Sequence, residues 1–387
     1  MKRITTLFLI LVSATVANAQ YYYQDSKNSQ MLRHAERHEP CRKEIILPQV
    51  NGYNVYKADL HTHSIFSDGQ VLPKFRMAEA WQDGLDVVAV TEHIEYRPSE
   101  ATFYDYLKGY ADKEHMPGVK GLQKGKQLVD LNYSVNESLK EAKKYGITII
   151  PGSEITRNGT TVGHFNALFT TDNNTIYDEN PVQAVRNAKA QGALVMHNHP
   201  GWRKESLDYT EAEKTVYDEG LVDGVEVMNG DEFYPLIIDR VRERGLFIAA
   251  NSDIHSSTAN DYRLTGNLRP MTLILAKDKS LKSLREALEA KRTIALGYNT
   301  LCGEEKLLKD FFVASVKLTE ISEDSWMLTN MTSVPYVLKK GNGNNFRLDP
   351  FSSIKVSAPK KGNSVAFTVL NMWTGVDTHP VIKVSKK

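Results

Sequence analysis

The chain has 387 residues, 41% of them hydrophobic, and its 48 Lys and Arg against 47 Asp and Glu leave a net charge of +1. That length buries a large core and suits one big domain with a smaller companion. The charge balance excludes a nucleic-acid coat and a polybasic membrane patch, because both need a clear excess of basic residues.

Lys2 and Arg3 precede an apolar run from Ile4 to about Val12, and Ala17-Asn18-Ala19 stands before Gln20. A short basic region, a brief hydrophobic segment and a small-x-small site predict a secretory signal peptide over residues 1–19, with a mature chain that is periplasmic or secreted. No later run reaches about 18 apolar residues, so no membrane association is expected once the leader is removed. Residues 20–52 read as a polar lead-in, in which His34 and His38 are a solvated pair. Cys41 and Cys302 are the only cysteines; export would allow them to pair, and two free thiols are the equal alternative. Their spacing excludes a cysteine-based zinc cluster.

From Tyr53, apolar runs alternate with amphipathic ones. The strand candidates are Val55–Leu60, Leu85–Val90, Ile147–Ile150, Phe165–Phe169, Ala193–Met196, Gly224–Met228, Leu246–Ala250 and Met271–Leu275. Helical patterns lie between many of them: Pro73–Gln82, Leu131–Tyr145, Pro181–Gln191, Leu207–Glu219, Phe233–Arg244 and Leu281–Lys291, several stopping at a glycine. This alternation predicts a parallel sheet, and its seven or eight units a closed barrel over residues 53–305. The long Tyr- and Lys-rich excursion between His93 and Leu131 leaves a strand's C-terminal end and reads as a cover over a site. Over residues 310–387 the pattern becomes six short runs with turns between them (Phe312–Leu318, Ser325–Thr329, Tyr336–Lys339, Ser352–Val356, Val365–Leu370, Val381–Val384), which predicts a small antiparallel β-sandwich.

Metal-ligating residue types stand at the barrel strand ends. His61 and His63 are two apart, so on extended backbone they share a face and can bind one ion together. Asp68 follows at a turn, and later strands run into Thr91-Glu92-His93, Gly152-Ser153-Glu154, His197-Asn198-His199-Pro200 and Ser252-Asp253-Ile254-His255. His164 is the exception, since it opens its strand. C-terminal ends of parallel strands share one face of a barrel, so His61, His63, Asp68, His93, Glu154, His164, His199, Asp253 and His255 are nine candidate ligands that converge.

The order His-x-His, Ser-Asp-Gly, Thr-Glu-His, Gly-x-Glu, His, His-Pro and Ser-Asp-x-His resembles the polymerase and histidinol phosphatase (PHP) family over about residues 53–300. With Ile94-Glu95-Tyr96-Arg97-Pro98, the leader and the trailing β domain, it is similar to an exported phosphodiesterase branch. The resemblance implies a distorted (β/α)7 barrel with a trinuclear metal centre. It implies that His61, His63, Glu154 and Asp253 hold one ion, that Glu154 bridges to a second held by His164 and His199, and that Asp68, His93 and His255 hold a third. Glu154, Asp253 and His255 are the catalytic candidates. Glu92 stands where the family more often has Asp, and either an orienting or a plain surface role fits it. His197, beside the matching His199, is a candidate to orient a neighbour, face the interior or touch substrate.

Imidazole and carboxylate ligands suit zinc, manganese or iron, in two to three divalent ions. Two ions sharing a carboxylate can turn bound water into hydroxide near neutral pH and stabilise the attacking and leaving oxygens at phosphorus; a third can neutralise non-bridging phosphate charge. No Gly-x-Ser-x-Gly and no phosphate-cradling Gly-rich loop is present. Arg97, Arg157, Arg203 and Arg263, each near a ligand motif, are candidates to grip phosphate. The expected function is an exported metal-dependent phosphoesterase attacking small-molecule phosphodiesters through a metal-bridging hydroxide. A phosphomonoesterase is the close alternative; a barrel amidohydrolase and a non-catalytic periplasmic metal or ligand binder are alternatives of other classes.

Overall fold

The structure is a computed structural model, and it describes residues 23–25, 27–34, 41–98, 130–157, 161–262 and 267–386. The expected signal peptide, most of the Tyr-rich excursion and Arg263 lie outside the described residues. Among the described residues no helix is long and apolar enough to cross a membrane. The chain divides into two units, Met1–Arg42 and Lys43–Lys387. The first holds an antiparallel hairpin of β1 (Tyr23–Asp25) and β2 (Leu32–His34).

The second unit is built on a curled sheet. Its strands are β3 (Asn54–Asp59), β4 (Val87–Val90), β5 (Thr148–Ile155), β6 (Phe165–Leu168), β7 (Leu194–His197), β8 (Gly224–Asn229), β9 (Glu232–Phe233), β10 (Phe247–Asn251), β11 (Met271–Ala276), β12 (Thr293–Gly297) and β13 (Thr300–Gly303). They lie in the order β10-β8-β7-β6-β5-β4-β3-β11-β12-β13, with β9 on β8. Helices α1 (Pro73–Gln82), α2 (Tyr133–Tyr145), α3 (Pro181–Ala190), α4 (Glu211–Asp218), α5 (Pro235–Arg244), α6 (Thr258–Tyr262) and α7 (Leu281–Glu289) fill most of the links. Gly146 and Gly245 end α2 and α5 at φ 65° and 64°, a left-handed turn that glycine makes without a Cβ penalty.

The β10 end of the sheet closes onto β11 and β12 through side chains. The amides of Ile248 and Ala250 in β10 donate to the hydroxyls of Thr293 and Thr272, and Thr62 pairs with Ile254 beyond the strand ends. The curled sheet and its covering helices make an α/β barrel.

The alternation predicts a parallel sheet, but the observed one is mixed. β3-β4-β5 and β7-β8-β10 are parallel, but β6 runs antiparallel to both β5 and β7. The link 156–164 is too short for a parallel crossover, which needs a dozen or more residues. β11, β12 and β13 also run antiparallel to one another, and β11 antiparallel to β3.

Residues 312–315, expected to begin a strand, complete α8 (Glu305–Ser315). Glu304 caps it, its carboxylate accepting from the amides of Lys306 and Leu307. Leu308, Phe311, Phe312 and Ser315 share its buried stripe, a helical spacing. Beyond it, β14 (Val316–Ser322), β15 (Ser325–Asn330), β16 (Tyr336–Lys339), β17 (Asn345–Leu348), β18 (Ser353–Ser357), β19 (Ser364–Val369), β20 (Met372–Trp373) and β21 (Val381–Ser385) follow. They form two small antiparallel sheets, β14-β15-β18 and β17-β16-β19-β21, while β20 adds to β13 of the barrel sheet. Phe311, Phe312, Leu318, Leu338 and Phe367 join Met271, Leu273 and Leu296 of the barrel in one apolar core.

Candidate metal centre

Six strand ends build the centre. The backbone stays extended past β3, so the rings of His61 and His63 stand on one side, 5.1 Å apart. His93 follows β4 and pairs as an isolated bridge with Glu154 of β5. Asp253 and His255 follow β10, and the amides of Asp253 and His63 donate to the carbonyls of His61 and Ile254. His199 lies two residues past β7. The reversal of β6 resolves the exception of His164: the N-terminal end of a reversed strand lies with the C-terminal ends of its neighbours, and Asn198 N–H donates to the His164 carbonyl at 3.0 Å.

All nine candidate ligands come together. Glu154 is central: its carboxylate lies 3.4 Å from His61 Nε2, 3.5 Å from His63 Nε2, 2.7 Å from His93 Nδ1, 3.1 Å from His164 Nδ1 and 3.6 Å from His199 Nε2. Asp253 Oδ1 lies 3.2 Å from His61 Nε2 and 3.0 Å from His63 Nε2. Asp68 Oδ1 is 3.3 Å from His93 Nε2 and 3.1 Å from His255 Nε2. Four overlapping groups have the spacing of a shared ion: His61, His63 and Glu154; Glu154, His164 and His199; His61, His199 and Asp253; and His63, Asp68, His93 and His255.

These atoms face one another without bonding. His61 Nε2, His63 Nε2, Asp68 Oδ1, Glu154 Oε2, His164 Nδ1 and Asp253 Oδ1 are buried and make no hydrogen bond among the described residues. A buried polar atom without a partner is costly, and six aimed into one volume define a site for something that accepts lone pairs. Ligand atoms about 2.0–2.2 Å from one ion stand roughly 3.0–3.6 Å apart, which is the spacing seen. The residues therefore fit divalent metal ions.

The electrostatics agree. Burial alone would raise the carboxyls of Glu154 and Asp253, but the imidazoles around them hold both well below the usual carboxylate range. Burial and the neighbouring His255 and His93 push His63 down to about 3, leaving its Nε2 lone pair open. Around His93 burial is outweighed by Glu154 and Asp68, which push the imidazole up to about 10. An ion placed here replaces protons that this anionic pocket would otherwise collect.

Further polar residues hold the ligands in place. Glu226 of β8, fully buried, lies 2.9 Å from His61 Nδ1 and accepts from the amide of His199 at 2.7 Å. That fixes His61 with its other nitrogen toward the centre. Asn198 donates to Glu154 at 2.9 Å. Asp59 accepts from the amides of His61 and Ser252 and pairs with buried Arg269. Glu92 accepts from Ser64 N–H and from the hydroxyls of Ser64 and Ser67, so it ties down the turn that carries Asp68. Its sequence offers either an orienting or a surface role, and the buried contacts favour the first.

Above the centre is a cleft of about 1080 Å³, lined by the outer ligands and by Glu95, Tyr96, Thr156, Arg157, Trp202 and Arg203. Arg157 pairs with Glu95 and donates to the Asp178 carbonyl. Arg203 lies over the Trp202 ring, 4.2 Å from its centroid. Two substrate candidates are placed elsewhere. His197 points out of the barrel, its Nε2 3.1 Å from Glu213 of α4 and its Nδ1 3.0 Å from Tyr217, because successive residues of a strand face opposite sides. Arg97 is buried and does not line the cleft.

The PHP domain model matches residues 59–247. A crystal structure from Bacteroides vulgatus, of a two-domain protein containing a predicted PHP-like metal-dependent phosphoesterase, is 34% identical, covering 89% of this chain and 99% of that one with a TM-score of 0.78. Two distant structures show weaker likeness. One is a metal-dependent phosphoesterase candidate from Bifidobacterium adolescentis, 14% identical over 52% of this chain and 88% of that one, TM-score 0.37; the other is an amidohydrolase from Chromobacterium violaceum, 15% identical over 53% and 89%, TM-score 0.37. No curated protein matches the chain. The chain belongs to the PHP family of metal-dependent phosphoesterases.

Proposed function

We propose that the protein is an exported phosphodiesterase that hydrolyses small organic phosphodiesters with two to three zinc, manganese or iron ions. The observation that carries this reading is the set of six buried, unbonded donor atoms at the floor of the cleft. His61, His63 and Asp253 would hold one ion, His164 and His199 a second, with Glu154 shared, and Asp68, His93 and His255 a third. Bound ions of this kind acidify water and neutralise charge on phosphate oxygens. Glu226, Asn198, Asp59 and Glu92 keep the ligands oriented while substrate enters and leaves.

The cleft's volume of about 1080 Å³ supports a diester, since a phosphorus held over the centre has room for two substituents. Arg203, and Arg157 beside Glu95, face that space and suit oxygens that do not react. The leader over residues 1–19 supports export, and a mature chain beginning near Gln20 in the periplasmic or secreted fraction is the expected mass-spectrometric result. To test the activity, the purified chain is offered a chromogenic phosphodiester and the matching monoester before and after chelation. Chelator-sensitive turnover favouring the diester is expected. Preference for the monoester would overturn the diester assignment, and turnover of neither, with metal bound and the fold intact, would overturn phosphoester hydrolysis altogether.

A further inference from the structure

Arg203 lies on the turn after His199, and that turn is held from below. The Trp202 amide donates to the His199 carbonyl at 2.9 Å and the Lys204 amide to the Gly201 carbonyl at 3.0 Å. His199 and Arg203 both have positive φ, 24° and 56°, which non-glycine residues keep only where their surroundings dictate it. Two contacts dictate it here. A Cβ on Gly201 would stand 2.5 Å from the Tyr234 ring, so the turn is pressed against that ring. One residue beyond Arg203, Lys204 dives inward, its ammonium 2.9 and 2.8 Å from the two oxygens of Glu213. These side chains are 8% and 1% exposed.

Glu213 is the hub of this anchor. It closes the capping box of α4 with Thr210, and its Oε1 also meets His197. Thr210 in turn donates to the Val162 carbonyl, and a Cβ on Gly163, just before His164, would stand 2.6 Å from Glu213 Oε1. An ion pair this deep leaves a charge stranded if either partner is lost, so it fixes geometry more than it adds stability. Its geometric product is Arg203, over the Trp202 ring in the lining of the cleft and without an ion pair among the described residues.

We propose that the Lys204–Glu213 pair is a positioning device that sets Arg203 as an anion-holding arm over the metal centre, where the guanidinium takes phosphate oxygens that do not react. This rests on the phosphoesterase reading above. Lys204 and Glu213 touch no substrate; they act through Arg203.

The test measures binding of inorganic phosphate to the metal-loaded chain by calorimetry, independently of turnover. Arg203→Ala is expected to weaken binding about tenfold, the size of one charge-assisted contact. Lys204→Met combined with Glu213→Gln removes both charges together, so neither is stranded, and Gln still serves the capping box. This pair is expected to weaken phosphate by a similar factor with metal content unchanged, and to cost nothing further when Arg203 is already Ala. Phosphate affinity that is unchanged in either variant, or losses that add in full, would overturn the proposal. Wild-type turnover of the diester, run alongside, reports separately on the activity.

Discussion

Glu226 reaches two ligands of the centre, through the ring of His61 and the amide of His199. Glu226→Gln keeps its size but weakens its hold on His61 Nδ1, and removing such a partner typically costs about 10–100-fold in metal affinity or activity. Equilibrium dialysis against zinc should show that loss with the fold unchanged. His61→Ala and Asp253→Ala should each abolish turnover in chains that still fold, as read by circular dichroism beside the assay. Retained activity in both would contradict the site. Glu226 is absent from the sequence reading: a carboxylate between Val225 and Val227 is the one signal for it, and an otherwise apolar strand shows neither which face it takes nor which His it meets. Asp59 and Arg269 were not legible as a pair, since nothing in the chain links positions so far apart. His61, His63 and His255 were legible because His-x-His and Ser-Asp-x-His state their local geometry.

The same scale governs one pH effect. Burial would raise the Glu213 carboxyl, but His197, Lys204 and the Thr210 amide outweigh it and leave it at about 2. A carboxyl lower in the folded chain than its ordinary value near 4.5 stabilises the fold above that value, and the contribution is lost as pH falls from about 4.5 toward 2. Urea unfolding at pH 7, 4.5 and 3 should therefore show Glu213→Gln losing its disadvantage as the pH drops. A difference that is constant with pH would contradict this account.

At the level of elements, strand direction decides the site. The runs of β3, β4, β5, β7 and β10 announce themselves by apolar residues ending in ligand types. Strand polarity is hidden, because periodicity is the same in both directions, so the placement of His164 follows only from the short link 156–164. The start of α8 was misread for a related reason: Phe312 to Leu318 alternates well enough as a strand, and the helical stripe that claims Phe312 begins earlier, at Leu308. Close packing between β8 and β10 offers a test. A Cβ on Gly224 would stand 2.2 Å from the Phe247 ring, so Gly224→Ala should destabilise by about 1–3 kcal/mol through overpacking, measured by chemical denaturation. No loss would mean that β10 moves freely, which its hydroxyl ties to Thr272 and Thr293 oppose.

Across the whole second unit, one apolar core runs from the barrel through α8 into the C-terminal sheets. Phe312→Ala empties its middle and should cost about 3–5 kcal/mol. The barrel and the β sheets should still unfold in a single calorimetric transition, and two separate transitions would contradict a shared core. The centre adds its own term at this scale: ions that bind only the folded chain raise its melting temperature by mass action, so chelation should lower it and returned metal restore it.

Titration with metal tests most directly whether the cleft floor is a metal centre on which hydrolysis depends. The chelated chain is returned stepwise to zinc or manganese while bound metal per chain and diester turnover are measured in the same samples. Turnover that rises with the filling of two to three sites, and that fails to rise in His61→Ala, is the result this structure predicts. Full turnover in the chelated chain, or metal uptake that is the same in wild type and His61→Ala, would contradict it.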